Sequence, residues 1–297
     1  MSHHAGFVAV VGRPNVGKST LVNRLVGQKV AITSDKPQTT RNRILAVVNA
    51  EGGQIVLFDT PGIHKPVHAM NRRMVDTAVR SLEQVDLVLW LSDVTERYGP
   101  GERYVRQVLH RAGKPVVLGL NKVDLVPKPA LLRTIDLYRN FLDFAEIVPF
   151  SALTGENTER LAQLLLKHLP EGPPLYPEDF LTDQPERFFV AEMVREQILR
   201  QTHEELPYSV AVLIDSFKEE EPGRVRIEAS IVVERDGQKA IMIGRQGAML
   251  KAIGTAARLE IEAFLDAKVF LGLFVKVRPT WREDPRALHE LGLGEKS

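Results

Sequence analysis

The 297-residue chain predicts two domains, an α/β domain with a mostly parallel sheet followed by a smaller α+β domain. Three observations carry that prediction. Short apolar runs alternate with helical patterns through the first half. A proline-rich stretch breaks the chain near residue 173. Beyond it come one amphipathic helix, two alternating strands, two helical stretches and a last strand.

In the first half the runs GFVAVVG, RILAVVN, QIVLFDT, DLVLWLSD, KPVVLGLNK and EIVPFSA are rich in valine, leucine and isoleucine. Such runs are expected of strands buried on both faces, as in a parallel sheet. Helical patterns at 18–25 and 71–82 lie between strands, which is the doubly wound arrangement. The stretch LPEGPPLYPEDFLTDQP carries Pro170, Pro173, Pro174, Pro177 and Pro185. Proline at that density continues neither helix nor sheet. The expected division is 1–173, a linker at 174–185, and 186–297. In the second domain, Phe189, Met193, Val194, Ile198 and Leu199 mark an amphipathic helix. Val225, Ile227, Ala229, Ile231 and Val233 alternate along one strand face.

Composition narrows the chemistry. With 44% hydrophobic and 26% charged residues the chain is of ordinary globular make-up. It has no cysteine, which excludes disulfides, thiolate metal sites and cysteine nucleophiles. No run approaches the roughly 18 apolar residues of a membrane span, and no signal peptide opens the sequence, so the cytoplasm is expected. The net charge of +1 hides segregation. Residues 1–173 carry 22 Lys+Arg and 16 Asp+Glu; residues 174–236 carry 7 and 15; residues 237–282 carry 8 and 3. A basic stretch therefore sits inside an acidic half.

GRPNVGKST is formed by Gly12, Arg13, Pro14, Asn15, Val16, Gly17, Lys18, Ser19 and Thr20. It fits G-x-x-x-x-G-K-[ST], follows a strand and opens a helix. Glycine lets consecutive N–H groups face phosphate oxygens; Lys18 reaches the β/γ-phosphates and the Ser19 hydroxyl suits Mg²⁺. DTPG, from Asp59, Thr60, Pro61 and Gly62, ends a strand; its aspartate suits Mg²⁺ and the Gly62 N–H a γ-phosphate. In NKVD, Asn121 and Lys122 precede Asp124, whose two oxygens match the adjacent N1–H and N2–H₂ donors of guanine. Asn121 suits the base N7 edge and a tie to the phosphate loop. Ser151, Ala152 and Leu153 end the last strand, and the Ala152 N–H suits guanine O6.

The ordered set resembles the translation-factor-related class of P-loop GTPases. That resemblance implies a catalytic set of Lys18, Thr40, Asp59 and Gly62, with Mg²⁺ held by Ser19, Thr40 and Asp59. Thr39 is the runner-up to Thr40 in the PQTTRNR loop. Ile63 stands where the small regulatory GTPases have a water-orienting glutamine, so slow intrinsic hydrolysis is expected. Members with asparagine at the Asn15 position often use K⁺, which implies a K⁺ site there. His64 is expected to be an idle loop histidine.

In the second domain IGRQGAMLKAIGTAAR joins two helical stretches beside a sheet. In KH domains a G-x-x-G loop clamps the backbone of a few nucleotides. The expected RNA-binding residues are Ile243, Gly244, Arg245, Gln246, Gly247, Lys251 and Arg258, with Ile243, Leu250 and Ile253 lining or supporting an apolar groove. Together with PQTTR, DTPGIHKP, YPEDF and VKVRPTWR, these motifs resemble the Era family across nearly the whole chain. The resemblance implies a P-loop GTPase domain followed by a type II KH domain. It also implies GTP/GDP and Mg²⁺, binding to the 3′ region of small-subunit ribosomal RNA, and a part in 30S subunit assembly and rRNA maturation. A monomer is expected, in the cytoplasm and loosely at the inner face of the cell membrane. Two other readings stay open: a P-loop phosphotransferase kinase, and an RNA-binding protein that uses nucleotide only structurally.

Overall fold

The computed structural model describes residues 3–66 and 68–293. The described residues form two compact units: one of residues up to 66 and 71–183, one of 68–70 and 184 onward.

The first unit runs β1 (His4–Gly12), α1 (Lys18–Val26), β2 (Ile44–Ala50), β3 (Gly53–Asp59), α2 (Ala69–Glu83), β4 (Leu87–Asp93), α3 (Pro100–Ala112), β5 (Val116–Asn121), α4 (Lys128–Tyr138), β6 (Glu146–Pro149) and α5 (Thr158–Lys167). The strand order is β2-β3-β1-β4-β5-β6. All neighbours are parallel except β2 and β3, as the apolar runs predict. The strands are buried because helices cover both faces; β3 and β4 are buried at every position. On one face α2, α3 and α4 contribute Ala78, Leu82, Val105, Leu109 and Tyr138 to a core shared with Val56, Trp90 and Leu118.

Register decides what meets at the carboxyl edge. Val10 pairs with Asp59, Gly12 with Leu91, and Asp93 with Asn121. β3 thus ends level with Val10, two residues before β1 ends; β1 ends two residues before β4; β4 and β5 end together, and the loops that follow these ends converge.

The proline-rich stretch up to residue 183 packs in the first unit. The Val47 N–H donates to Leu181 O at 2.9 Å. Buried Gln54 accepts from the Leu175 and Tyr176 N–H groups at 2.8 and 2.9 Å and donates to Tyr176 O at 2.9 Å. The Tyr176 and Phe180 rings stack at 4.7 Å. A stretch that composition marks only as a linker is thus a strap along the sheet edge, held because a buried amide needs partners.

The second unit runs α6 (Glu186–Gln201), β7 (Ala211–Glu221), β8 (Arg224–Val233), α7 (Asp236–Ile243), α8 (Ala248–Leu265), β9 (Lys268–Val277) and α9 (Pro285–Glu290). β8 is central, antiparallel to β7 and parallel to β9. This is the order expected of a KH-like domain. Ile227, Ala229, Ile231 and Val233 are fully buried on one face, as their alternation predicts. α6 departs from the one-sided helix expected: Val190, Arg195, Glu196 and Gln197 are buried along with its apolar stripe. Two of its charged pairs are local, Arg195 with Glu192 and Arg200 with Glu196.

Candidate active site and candidate nucleic-acid interface

A cavity of about 520 Å³ opens at the carboxyl edge of the first unit's sheet. Pro14, Asn15, Gly17, Lys18, Ser19, Thr20, Thr40, Gly62, Asn121, Lys122, Asp124, Ser151, Ala152 and Leu153 line it. Gly12, Arg13, Val16, Asp59, Thr60, Pro61 and Ile63 form its support. Thr60 Oγ1 donates to Val10 O at 2.7 Å. The Ile63 N–H donates to Gly12 O at 2.9 Å while its side chain is buried in the core. The Ile63 side chain thus faces away from the cavity.

α1 starts at Lys18 behind Gly17, which is left-handed at φ +96° and leaves the helix end without a side-chain cap. A Cβ on Gly17 would lie 2.2 Å from Asn121 Nδ2. A side-chain-free N-terminus facing a cavity is suited to an anion. Lys18 Nζ donates to Arg13 O at 2.8 Å, and burial lowers its pKa to about 8 despite attraction from Asp59 and Glu102. A phosphate beside it would restore the charge.

Ser19 Oγ lies 2.7 Å from both Thr40 Oγ1 and Asp59 Oδ2, and Thr40 Oγ1 donates to Asp59 at 3.4 Å. Asp59 is fully buried, and its other oxygen, Oδ1, has no hydrogen-bond partner. Burial pushes its pKa up, against Lys18, Ser19 and Thr40. Three hard oxygen donors and an unsatisfied carboxylate oxygen fit Mg²⁺. Thr39 turns elsewhere, donating to Lys36 O at 2.6 Å. Asn15 is left-handed at φ +64° and donates through Nδ2 to Asp35 O at 2.6 Å. His64 Nδ1 lies 2.8 Å from Gly62 O.

On the base side, Asn121 Nδ2 donates to Val16 O at 2.8 Å and its Oδ1 accepts the Ala152 N–H at 2.9 Å. One side chain therefore ties the phosphate loop to the 151–153 loop. The Ala152 N–H, expected to suit O6, would have to be shared between Asn121 and the base. Asp124 is exposed at the rim.

Three supporting residues escape the motif reading. Asp93 Oδ2 meets Lys122 Nζ at 2.5 Å. It ends β4, so the rule that placed every other motif at a strand end would have found it. Arg24, on α1, donates from Nε to Ala152 O at 3.3 Å and from its guanidinium to Leu153 O. Nothing local marks this cation from a solvated one. Glu102, on the buried face of α3 with Val105 and Leu109, has a pKa raised to about 7 by burial, opposed first by Arg13. Arg13 pairs with Glu96 and approaches Glu102 at 3.9 Å. The spacing 102, 105, 109 was the available signal for Glu102.

In the second unit Gly244 and Gly247 are left-handed at φ +72° and +79°, and Gln246 at φ +52°. A Cβ on Gly244 would lie 2.7 Å from Met249 Cβ. The loop is thus turned sharply into α8, which opens without a side-chain cap. Behind it Gly247, Leu250, Lys251, Gly254, Thr255, Arg258, Leu271 and Leu273 line a groove of about 370 Å³. Arg245 and Gln246 are exposed, and Arg258 is paired with Glu262 at 2.9 Å. Ile253 is fully buried and does not line the groove, nor does Ile243. Leu271 and Leu273 of β9 supply the apolar wall instead.

The profile of the 50S ribosome-binding GTPase family matches residues 7–122, and that of the KH domain matches residues 205–282. GTPase Era of Geotalea daltonii is 53% identical over 289 residues, covering 97% of each chain. The chain belongs to the Era family of GTPases. GTPase Era of Geobacter sp. strain M21 is 55% identical, again over 97% of both chains. Era in complex with MgGDPNP and nucleotides 1506–1542 of 16S ribosomal RNA superposes with a TM-score of 0.95, at 42% identity over 99% of this chain and 100% of that one. An Aquifex aeolicus Era variant bound to GDP·AlF4⁻ gives 0.94, at 43% identity over 98% and 100%. The family's P-loop GTPase domain and KH domain are both present, and GTP hydrolysis is the family's activity.

Proposed function

We propose that the chain is a GTP-hydrolysing switch that binds the 3′ region of small-subunit ribosomal RNA and assists 30S assembly and rRNA maturation. The observation that carries this reading is the pairing, in one chain, of a phosphate-cradling cavity with a basic groove behind a G-x-x-G loop. The large subunit enters only through the description of a profile that matches the first half. The Era complex with 16S RNA, similar over almost the whole chain, favours the small subunit.

In this reading the division into 1–173, 174–185 and 186–297 separates hydrolysis from RNA binding. Lys18 and the N–H groups before α1 hold the β- and γ-phosphates. Ser19, Thr40 and Asp59 would hold Mg²⁺, which would supply positive charge to the phosphates. Asp124 accepts from the guanine N1–H and N2–H₂. Water attacks the γ-phosphorus in line, the bond to the β-phosphate oxygen breaks, and GDP and phosphate leave. With Ile63 in the core, no side chain from that position orients the water, so the intrinsic rate is slow. Asn15 would hold a K⁺ ion, which would supply further positive charge to the phosphates. Lys251, Arg258 and Arg245 meet RNA phosphates, while Leu250, Leu271 and Leu273 give bases an apolar wall.

No helix among the described residues is long and apolar enough to cross a membrane. We place the protein at work on the ribosomal subunit in the cytoplasm, with any membrane contact peripheral. The test is crosslinking to RNA in cells with the sites sequenced. Crosslinks should cluster near the 3′ end of small-subunit rRNA; crosslinks scattered over messenger RNA, with none there, would overturn the reading.

A further inference from the structure

Part of the basic surplus of the first half lies on one helix. Helix α3 turns Arg103, Arg106, His110 and Arg111 to solvent. Its one acid, Glu102, is buried on the other side. Positions 103, 106 and 110 form one stripe, and Arg111 stands beside it. Among the described residues none of the three arginines forms an ion pair; Arg106 lies over the Phe141 ring at 5.5 Å. Like charges one turn apart repel by about 0.2–0.5 kcal/mol per pair. The stripe bears that cost with no compensating carboxylate of its own.

The chemistry of the stripe favours phosphate. Arginine presents a planar fork that grips phosphate oxygens through two bonds. Gln107 is the other exposed residue on this side, so the stripe lacks the buried aromatic or aliphatic anchor that a protein interface needs. We propose that this α3 face is a second RNA-contact surface, taking the phosphate backbone of structured ribosomal RNA separately from the groove behind Gly244 and Gly247. The proposal rests on the ribosomal reading above.

The test uses the full chain with Arg103→Gln, Arg106→Gln and Arg111→Gln combined. Affinity is measured for 30S subunits, for protein-free small-subunit rRNA and for a 3′-terminal oligonucleotide, across roughly 50–200 mM salt. The variant should bind 30S subunits and free rRNA at least tenfold more weakly. Its plot of log affinity against log salt should be shallower by about 2–3 for the three lost phosphate contacts. Oligonucleotide affinity and basal GTP hydrolysis should stay within twofold, which also shows that the chain is folded. Lysine at the three positions should restore most of the binding. Unchanged 30S affinity and slope would overturn the proposal. Weaker 30S binding with unchanged affinity for free rRNA would overturn it in favour of an acidic ribosomal protein. A wild-type chain that binds none of the three RNAs would overturn the ribosomal reading itself, and this proposal with it.

Discussion

Asp93 offers a sharp test of how the base side of the nucleotide cavity is held. Its side chain is 4% exposed, and Lys122, 32% exposed, meets it at 2.5 Å. The other oxygen, Oδ1, accepts from the Thr95 N–H at 2.9 Å and from Thr95 Oγ1 at 2.6 Å. Lys122 also sits at φ +70°, a conformation that costs a non-glycine residue about 1 kcal/mol and needs outside support. Asp93→Asn keeps an acceptor for Thr95 and replaces the charged oxygen that faces Lys122 by an uncharged amide nitrogen. A hydrogen bond to a charged group contributes about 1.5–3 kcal/mol. Because the freed ammonium can reach water, the lower end applies, and about 1.4 kcal/mol is a factor of ten in affinity. GDP should therefore bind about tenfold more weakly in a fluorescence titration. Lys122→Met should cost a similar amount, and the double variant little more than either single one, leaving a coupling near 1.5 kcal/mol. Affinity within twofold of wild type, or strictly additive single losses, would refute the view that Asp93 acts through Lys122.

Thr40→Ala should weaken Mg²⁺-dependent GTP binding and hydrolysis by at least the roughly 10–100-fold that loss of a metal-supporting group brings. Thr39→Ala, whose hydroxyl serves its own loop, should change both far less; steady-state kinetics against Mg²⁺ concentration separates them. Replacing K⁺ by Na⁺ should slow hydrolysis with GDP affinity little altered, and Asn15→Ala should abolish the difference. Glu102 has a folded pKa of about 7, above its ordinary 4.5, because burial favours the uncharged acid. The unfolded chain releases that proton first, so this group's contribution to stability falls as pH rises from about 4.5 to about 7. Its upper bound is about 3 kcal/mol, at roughly 1.4 kcal/mol per unit. Glu102→Gln should therefore gain in melting temperature relative to wild type between pH 5 and pH 8; a constant difference would disprove the assignment. Gly244→Ala forces a Cβ into Met249 at a left-handed position and should cost about 1–3 kcal/mol of stability along with oligonucleotide binding.

The parts of this molecule that the sequence made legible share a physical trait: they act through consecutive residues. Phosphate is gripped by successive backbone N–H groups, so Gly12 to Ser19 must be contiguous and the pattern stands out. Strands buried on both faces must be apolar throughout, so LVLWLSD announces β4 without help from its neighbours. The illegible parts act across the chain. Arg24 braces a loop 128 residues away, Gln54 fastens the strap at Tyr176, and Leu271 and Leu273 wall a groove whose cations lie on α8. Each looks locally like an ordinary helix cation, strand amide or strand leucine, and only tertiary register gives it a task. Of the two roles open to Ile253, lining the groove or supporting it, the spacing with Ala257 and Ile261 fits support, because it turns the side chain into the core. Asp93 falls between the two kinds. Its partner is distant in sequence, but its position at the end of β4, level with Asn121, follows from the same strand-end rule that located the nucleotide motifs. Applied to every strand rather than to known motifs alone, that rule would have found it.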